Sequence, residues 1–163
     1  MPPTYTLQTI PNGKAGTAAT LQIMSGLVKT YKKAPAVREL ALFLVKNLPQ
    51  KDWRGEVAAI HSFVKEQIRY TKDINGVETL QTPVQTLRLK AGDCDDKTTL
   101  VAALLESIGH PTRLKAVGFS PGHFCHVLPE TKIGGKWVTV ETTEPVGLGW
   151  LPRGLKSAMV RHN

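Results

Sequence analysis

The stretch AGDCDDKTTLVAALLESIGHP, residues 91–111, decides how the chain folds. A glycine turn at Gly92 leads into Asp93 and Cys94. Asp93, Asp95 and Asp96 crowd the turn that follows, where acidic side chains suit the free N–H groups of a helix start. From there Leu100/Val101, Leu104/Leu105 and Ile108 recur at helical spacing and make a deep apolar stripe. Gly109 is the expected stop, with Pro111 shortly after it. The spacing predicts a buried helix from Asp93 or Cys94 to Ile108, with a cysteine at its N-terminus. A helix N-terminus favours the thiolate over the thiol. The neighbouring aspartates oppose it, so a nucleophilic Cys94 needs a base nearby, and an imidazolium is the usual partner. A small apolar cysteine packed under a sheet fits the same position. Residue position alone leaves both readings open.

Downstream the period changes to two. Thr112–Phe119, His123–Leu128 and Trp137–Thr142 read as strands, with Gly134-Gly135 turning between the last two. His126 lies inside the second of these. Its backbone is fixed by the strand and its face alternates away from Cys125, which makes it the best-placed base. His110 and His162, at a helix end and the chain terminus, read as solvated. His61 lies on a helix flank, and His123 follows Pro121-Gly122 in a loop. An orienting acid is expected from the next strand, where Glu141 can pair with His126 across a hairpin. Trp137 reads as core and Cys125 as inert. The tail from Glu144, with Pro145, Gly147, Gly149, Pro152 and Gly154, reads as a surface loop.

Upstream, residues 1–16 hold Pro2, Pro3, Pro11, Gly13 and Gly16 and read as an extended arm. Three amphipathic helices follow. The first, from Thr17, presents Leu21, Met24, Leu27/Val28 and Tyr31, with Lys29, Lys32 and Lys33 at its end. The second opens at Pro35 and presents Val37, Leu40/Ala41, Leu44 and Leu48. The third is capped by Asp52 and presents Val57, Ile60, Val64 and Ile68. Residues 71–92 look irregular, with a turn at Asn75-Gly76 and Pro83 blocking helix. Gln81 or Gln85 in that loop can supply an oxyanion donor beside the Cys94 N–H. The division is an arm at 1–16, a helical part at 17–70, a catalytic core at 71–145 and a tail at 146–163. Helices, one buried helix and then an antiparallel sheet make an α+β arrangement rather than an alternating one.

Composition agrees with a globular chain. The 163 residues are 41% hydrophobic, enough for a core without staples. No apolar run nears the roughly 18 residues of a membrane span. The beginning, MPPTYTLQTIPNGK, lacks the basic-then-apolar order of a signal peptide, so a cytoplasmic location and no membrane contact are expected. Two cysteines make no disulfide framework, and five scattered histidines make no metal-ligand spacing. Neither a metal nor an organic cofactor is expected. The net charge of +8 is spread along the chain, and no nucleic-acid motif accompanies it, so specific nucleic-acid binding is not expected.

The run GDCDDKTTLVAALLESIGHPTRL, the strand histidine and KWVTVETT together resemble the transglutaminase-like superfamily of papain-like thiol enzymes, over roughly residues 56–145. The resemblance implies a papain-like α+β core in which Cys94 is the nucleophile, His126 the base and Glu141 the orienting acid. Two departures stand out: Glu141 replaces the commoner Asp, and Thr142 stands where Pro is frequent. The implied reaction is acyl transfer at an amide of a peptide or protein, ending in hydrolysis or crosslinking. VETLQTPVQTLRLKAGDCDDK, EPVGLGWLP and the helical segment GTAATLQIMSGLVKTY…APAVRELA are further similar to small transglutaminase-like proteins of tailed bacteriophages and prophages. That likeness implies a morphogenesis or tail context, with other phage structural proteins as partners. The alternative is a structural tail-assembly component that keeps the fold for docking.

Overall fold

The computed structural model describes residue 6 and residues 8–72 and 79–163. Three helices come first: α1 (Gly13–Tyr31), α2 (Pro35–Val45) and α3 (Trp53–Gln67). Leu21, Met24 and Val28 are buried on α1, and Val37 and Ala41 on α2, as the helical spacing predicts. Asp52 caps α3 by accepting from the Gly55 N–H at 3.0 Å. The first helix begins four residues before the expected Thr17. The Pro11 carbonyl folds back over Gly16, where any Cβ would stand 1.8 Å from its oxygen, so the missing side chain lets the chain enter the helix early.

Residues 79–92 are more ordered than expected. A short helix, α4 (Pro83–Leu89), lies where Pro83 was read as a block. Pro83 sits in its first turn, where no N–H is needed, and Thr82 caps it by accepting from the Gln85 N–H at 3.1 Å. Two short strands, β1 (Arg69–Tyr70) and β2 (Ala91–Gly92), pair in parallel on either side of it. The Asn75-Gly76 turn lies outside the described residues.

The central helix is α5 (Cys94–Ser107), and Gly109 follows it at φ +96°. It is buried on every side from Asp96 to Leu105, wider than the stripe expected. Its polar members are therefore all bonded: Lys97 Nζ donates to the Ile68 carbonyl at 2.7 Å and Thr98 Oγ1 to the Val127 carbonyl at 3.2 Å. One side packs on α2 and α3 through Leu100, Val101, Leu104 and Leu105. The other meets α1 and the sheet through Ala102.

That sheet is antiparallel, in the order β5 (Lys136–Thr139), β4 (His126–Ile133), β3 (Thr112–Gly118), β6 (Ser157–His162). The last of these was expected to be loop. Ser157–His162 instead pairs with Arg113–Gly118 of β3, with Ala116 opposite Met159, whose side chain packs against the α1 cluster. Its Pro/Gly-rich approach masks a strand that needs only one outer position. β4 starts at His126 rather than His123, because residues 120–123 form a tight turn closed by the Ser120–His123 bridge. Among the described residues no helix is long and apolar enough to cross a membrane.

Candidate active site

Three chain segments converge at the N-terminus of α5. The helix start is held by a capping box: Asp93 accepts from the Asp96 N–H at 3.0 Å, and Asp96 accepts from the Asp93 N–H at 3.1 Å. Asp96 is itself gripped by Gln81, whose backbone N–H and side-chain amide donate to its two oxygens at 2.8 and 3.0 Å. Gly92 has no positive φ. Its value is room, since a Cβ there would stand 2.6 Å from the Asp96 Cβ. This packing sets the direction of Cys94, whose half-buried sulfur meets the backbone of Val127 on β4.

Val127 follows His126, so the cysteine meets the strand one residue beyond the histidine. His126 Nε2 lies 2.5 Å from Glu141 Oε2, so Nδ1 is the ring nitrogen not engaged with the carboxylate. Glu141 is buried just beyond β5, and each of its acceptors is occupied. Its Oε1 accepts from the Thr143 N–H at 2.8 Å and the Thr143 hydroxyl at 2.7 Å. Its backbone carbonyl is 2.7 Å from the Nε2 of the buried His61, so this ring nitrogen carries the proton and donates it. The structure thus brings His126 and Glu141 together, and the sulfur of Cys94 rests on the residue that follows His126.

The match to a family model spans residues 38–142, more than half of the chain, and the model is that of the transglutaminase-like superfamily. The chain belongs to this superfamily. Solved structures agree on the fold of the transglutaminase-like core. A candidate cysteine protease from Cytophaga hutchinsonii superposes with a TM-score of 0.59 at 20% identity, over 86% of this chain and 52% of that one. A candidate protease from Parabacteroides distasonis gives 0.62 at 15% identity, over 86% and 32%. Calcium-bound LapG of Legionella pneumophila gives 0.51 at 18% identity, over 83% and 80%. The chain therefore spans about half and a third of the first two proteins. No curated protein matches the chain in sequence.

The electrostatics of this transglutaminase-like site differ from the expectation of a dipole-activated thiolate. Burial and the nearby carboxylates of Asp95 and Asp93 push the Cys94 thiol well above its ordinary value, against the opposing pull of the Val127 backbone. The thiol donates to Asp95 Oδ1 at 3.6 Å. The helix dipole is outweighed here by lost hydration and like charge. His126 goes the other way: burial disfavours its cation, yet the Glu141 carboxylate wins and the imidazole titrates above its usual value. Burial likewise opposes ionised Glu141, but His126 and Thr143 hold it below the usual carboxylate range.

The other expected residues take different places. Gln81 is spent on Asp96 rather than aimed at a substrate carbonyl. Gln85 stands half buried on α4, with its N–H on the Thr82 cap. His110 is buried, not solvated: the turn at Gly109 returns it to α3, where Nε2 lies 2.7 Å from Glu56 Oε1. Trp137 is half-buried beneath the Arg113 guanidinium, 4.4 Å from its ring centre, rather than in the core. Sequence reasoning gave no site role to His61, Thr143 or Lys97, and placed Asp96 at the helix start without its grip on Asp93 and Gln81. Only Asp96 had a local signal, the D-x-x-D spacing of a capping box.

Proposed function

We propose that this chain is a phage-type cysteine acyl transferase that opens an amide through Cys94, His126 and Glu141. One observation carries the reading: the buried Glu141 carboxylate bonds the outer nitrogen of His126, while the cysteine at the head of α5 rests on the next residue of the same strand. A base held by a buried carboxylate beside a thiol is the arrangement that nucleophilic catalysis requires.

In this reading the resting sulfur keeps its proton. When an amide carbonyl enters, His126 Nδ1 takes the proton as Cys94 Sγ attacks, and Glu141 stabilises the imidazolium. The Cys94 N–H, free at the helix start, donates to the developing oxyanion. His126 then gives its proton to the leaving amine, and a thioester remains on Cys94. Water or a second amine resolves it. The likeness of residues 77–97 and 144–152 to phage proteins supports a setting in tailed-phage or prophage morphogenesis, in the host cytoplasm or the virion. A docking role for the fold is the second reading, supported by the exposed apolar side chains Leu42, Phe43 and Leu89, of which Phe43 is 60% exposed.

The test is incubation with p-nitrophenyl acetate followed by mass mapping. Acetylation is expected at Cys94, lost in Cys94→Ala and reduced at least about a hundredfold in His126→Ala. Acetylation of Cys94 no faster than that of exposed Cys125, or unmoved by His126→Ala, would favour the docking role.

A further inference from the structure

Beside His126 the molecule holds a cavity of about 450 Å³ whose wall includes Tyr70, Phe119, Trp150 and Pro152. Its walls come from distant parts of the chain. Tyr70 ends β1, Phe119 follows β3, and Trp150 and Pro152 belong to the segment leading to β6. The three aromatic side chains are 43%, 50% and 37% exposed, costly for side chains with no task. Trp150 is nevertheless held in place: its carbonyl accepts from Thr139 Oγ1 at 2.6 Å, and the adjacent Gly149 N–H donates to the Thr139 carbonyl at 2.9 Å. Phe119 is fixed from behind, because Gly118 lies so close to the His123 carbonyl that a Cβ would stand 1.6 Å from it.

We infer that this cavity is the amine-side subsite of the acyl transfer and selects an amine carrying a large apolar side chain. The inference rests on the proposed function and deepens it. His126 lines the cavity and Cys94 does not. In acyl transfer the imidazole is the group that meets the amine, protonating it as it leaves or deprotonating it as it attacks, so space that opens onto His126 belongs to that half of the substrate. The choice of side chain follows from the walls. Aromatic rings and a proline favour an apolar surface. The charged members, Lys72 and Glu144, are one of each sign and give no net preference for a charged group. An amine with an aromatic or branched aliphatic side chain fits this wall better than glycine or aspartate.

The balanced step that tests this starts from the acetyl-enzyme. The amine nitrogen attacks the thioester carbonyl, His126 takes its proton, the C–S bond breaks, and His126 returns the proton to sulfur. An N-acetyl amide and the free thiol of Cys94 result. The acetyl-enzyme, formed from p-nitrophenyl acetate, is offered phenylalaninamide, leucinamide, glycinamide or aspartic acid α-amide, and the yield of each acetyl amide is measured against acetate. Phenylalaninamide and leucinamide are expected to capture the acetyl group at least about tenfold better than glycinamide, the discrimination an apolar pocket gives. In Trp150→Ala and Phe119→Ala the ratio of phenylalaninamide to glycinamide capture should fall toward one, and Trp150→Phe should keep most of it. Equal capture of all amines by the wild-type acetyl-enzyme, or a preference for aspartic acid α-amide, overturns the subsite and leaves the acyl-transfer reading standing. Absence of acetyl-enzyme at Cys94 overturns both.

Discussion

In the proposed mechanism Asp95 and Glu141 act on the two ends of the same proton transfer, and each can be changed without altering side-chain size. The Asp95 carboxylate faces the Cys94 thiol at 3.6 Å and helps to keep the proton on sulfur. Asp95→Asn removes that charge, so Cys94 alkylation near neutral pH should accelerate on the order of tenfold, the effect of one pKa unit. An unchanged profile of alkylation rate against pH would show that Asp95 does not hold the thiol. Glu141→Gln removes the partner of the His126 cation. His126 titrates above its ordinary 6.5, so what it contributes to stability is complete below about pH 6.5 and fades as pH rises through the raised value. Glu141 titrates below its ordinary 4.5, so its contribution is complete above about pH 4.5 and fades as pH falls through the lowered value. The pair therefore contributes most between about pH 4.5 and 6.5. Urea unfolding at several pH values should show Glu141→Gln costing about 2 kcal/mol in that window and less above it. A cost that does not vary with pH would mean that the ion pair is not what Glu141 supplies. Cys94 could be singled out before the structure because it heads a helix after a glycine turn, and His126 and Glu141 because they fall on successive strands that a hairpin can pair. Gln81 could not be read correctly, because its grip on Asp96 joins residues fifteen apart across a helix. The raised thiol was equally hidden, since it depends on how deeply α5 is buried.

Glycines at the element scale separate two physical roles that look alike in a sequence. Gly92 ends β2 and is packed so tightly on Asp96 that a Cβ would sit 2.6 Å from the Asp96 Cβ. Gly92→Ala must shift the capping box, and a cost of about 1–3 kcal/mol is expected, with weaker acylation at Cys94 because the helix start moves. Gly26 lies inside α1 with no atom within 4 Å of an added Cβ. There Gly26→Ala should stabilise by about 0.5–1 kcal/mol through helix propensity and a more restricted unfolded chain. Thermal and denaturant unfolding of the two variants should move in opposite directions. Destabilisation by both would mean that α1 is packed more closely than its geometry shows. The elements missed in the sequence share a cause. Pro83 reads as a breaker but starts α4, and the Pro/Gly-rich run before Ser157 hides the strand behind it. Both are local rules overridden by context: a cap from Thr82 in one case and a waiting edge on β3 in the other.

At the scale of the molecule, α5 belongs to two clusters at once. Leu100, Leu104 and Leu105 pack with α2 and α3, while Ala102 sits with Leu21, Met24 and Val28 of α1 and with Leu114, Ala116 and Val127 of the sheet. Neighbouring residues of one helix therefore tie the helical side to the sheet side, and neither cluster can be lost without exposing a face of α5. Such coupling predicts a single cooperative unfolding transition. Leu104 and Met24 are fully buried, one in each cluster. Replacing either by Ala should cost about 2–5 kcal/mol by removing apolar contact and leaving a cavity. The more telling expectation is that both substitutions lower the same transition. Far-UV circular dichroism reports mainly the helices. Tryptophan fluorescence reports Trp53 at the start of α3 together with Trp137 on the sheet and Trp150 beside the candidate site. The two signals should melt at coincident temperatures in the wild type, in Leu104→Ala and in Met24→Ala. If Met24→Ala lowered the fluorescence midpoint while the circular dichroism midpoint stayed, the two clusters would be separate folding units. The geometry at Cys94 would then depend on how those units dock, rather than on one shared helix.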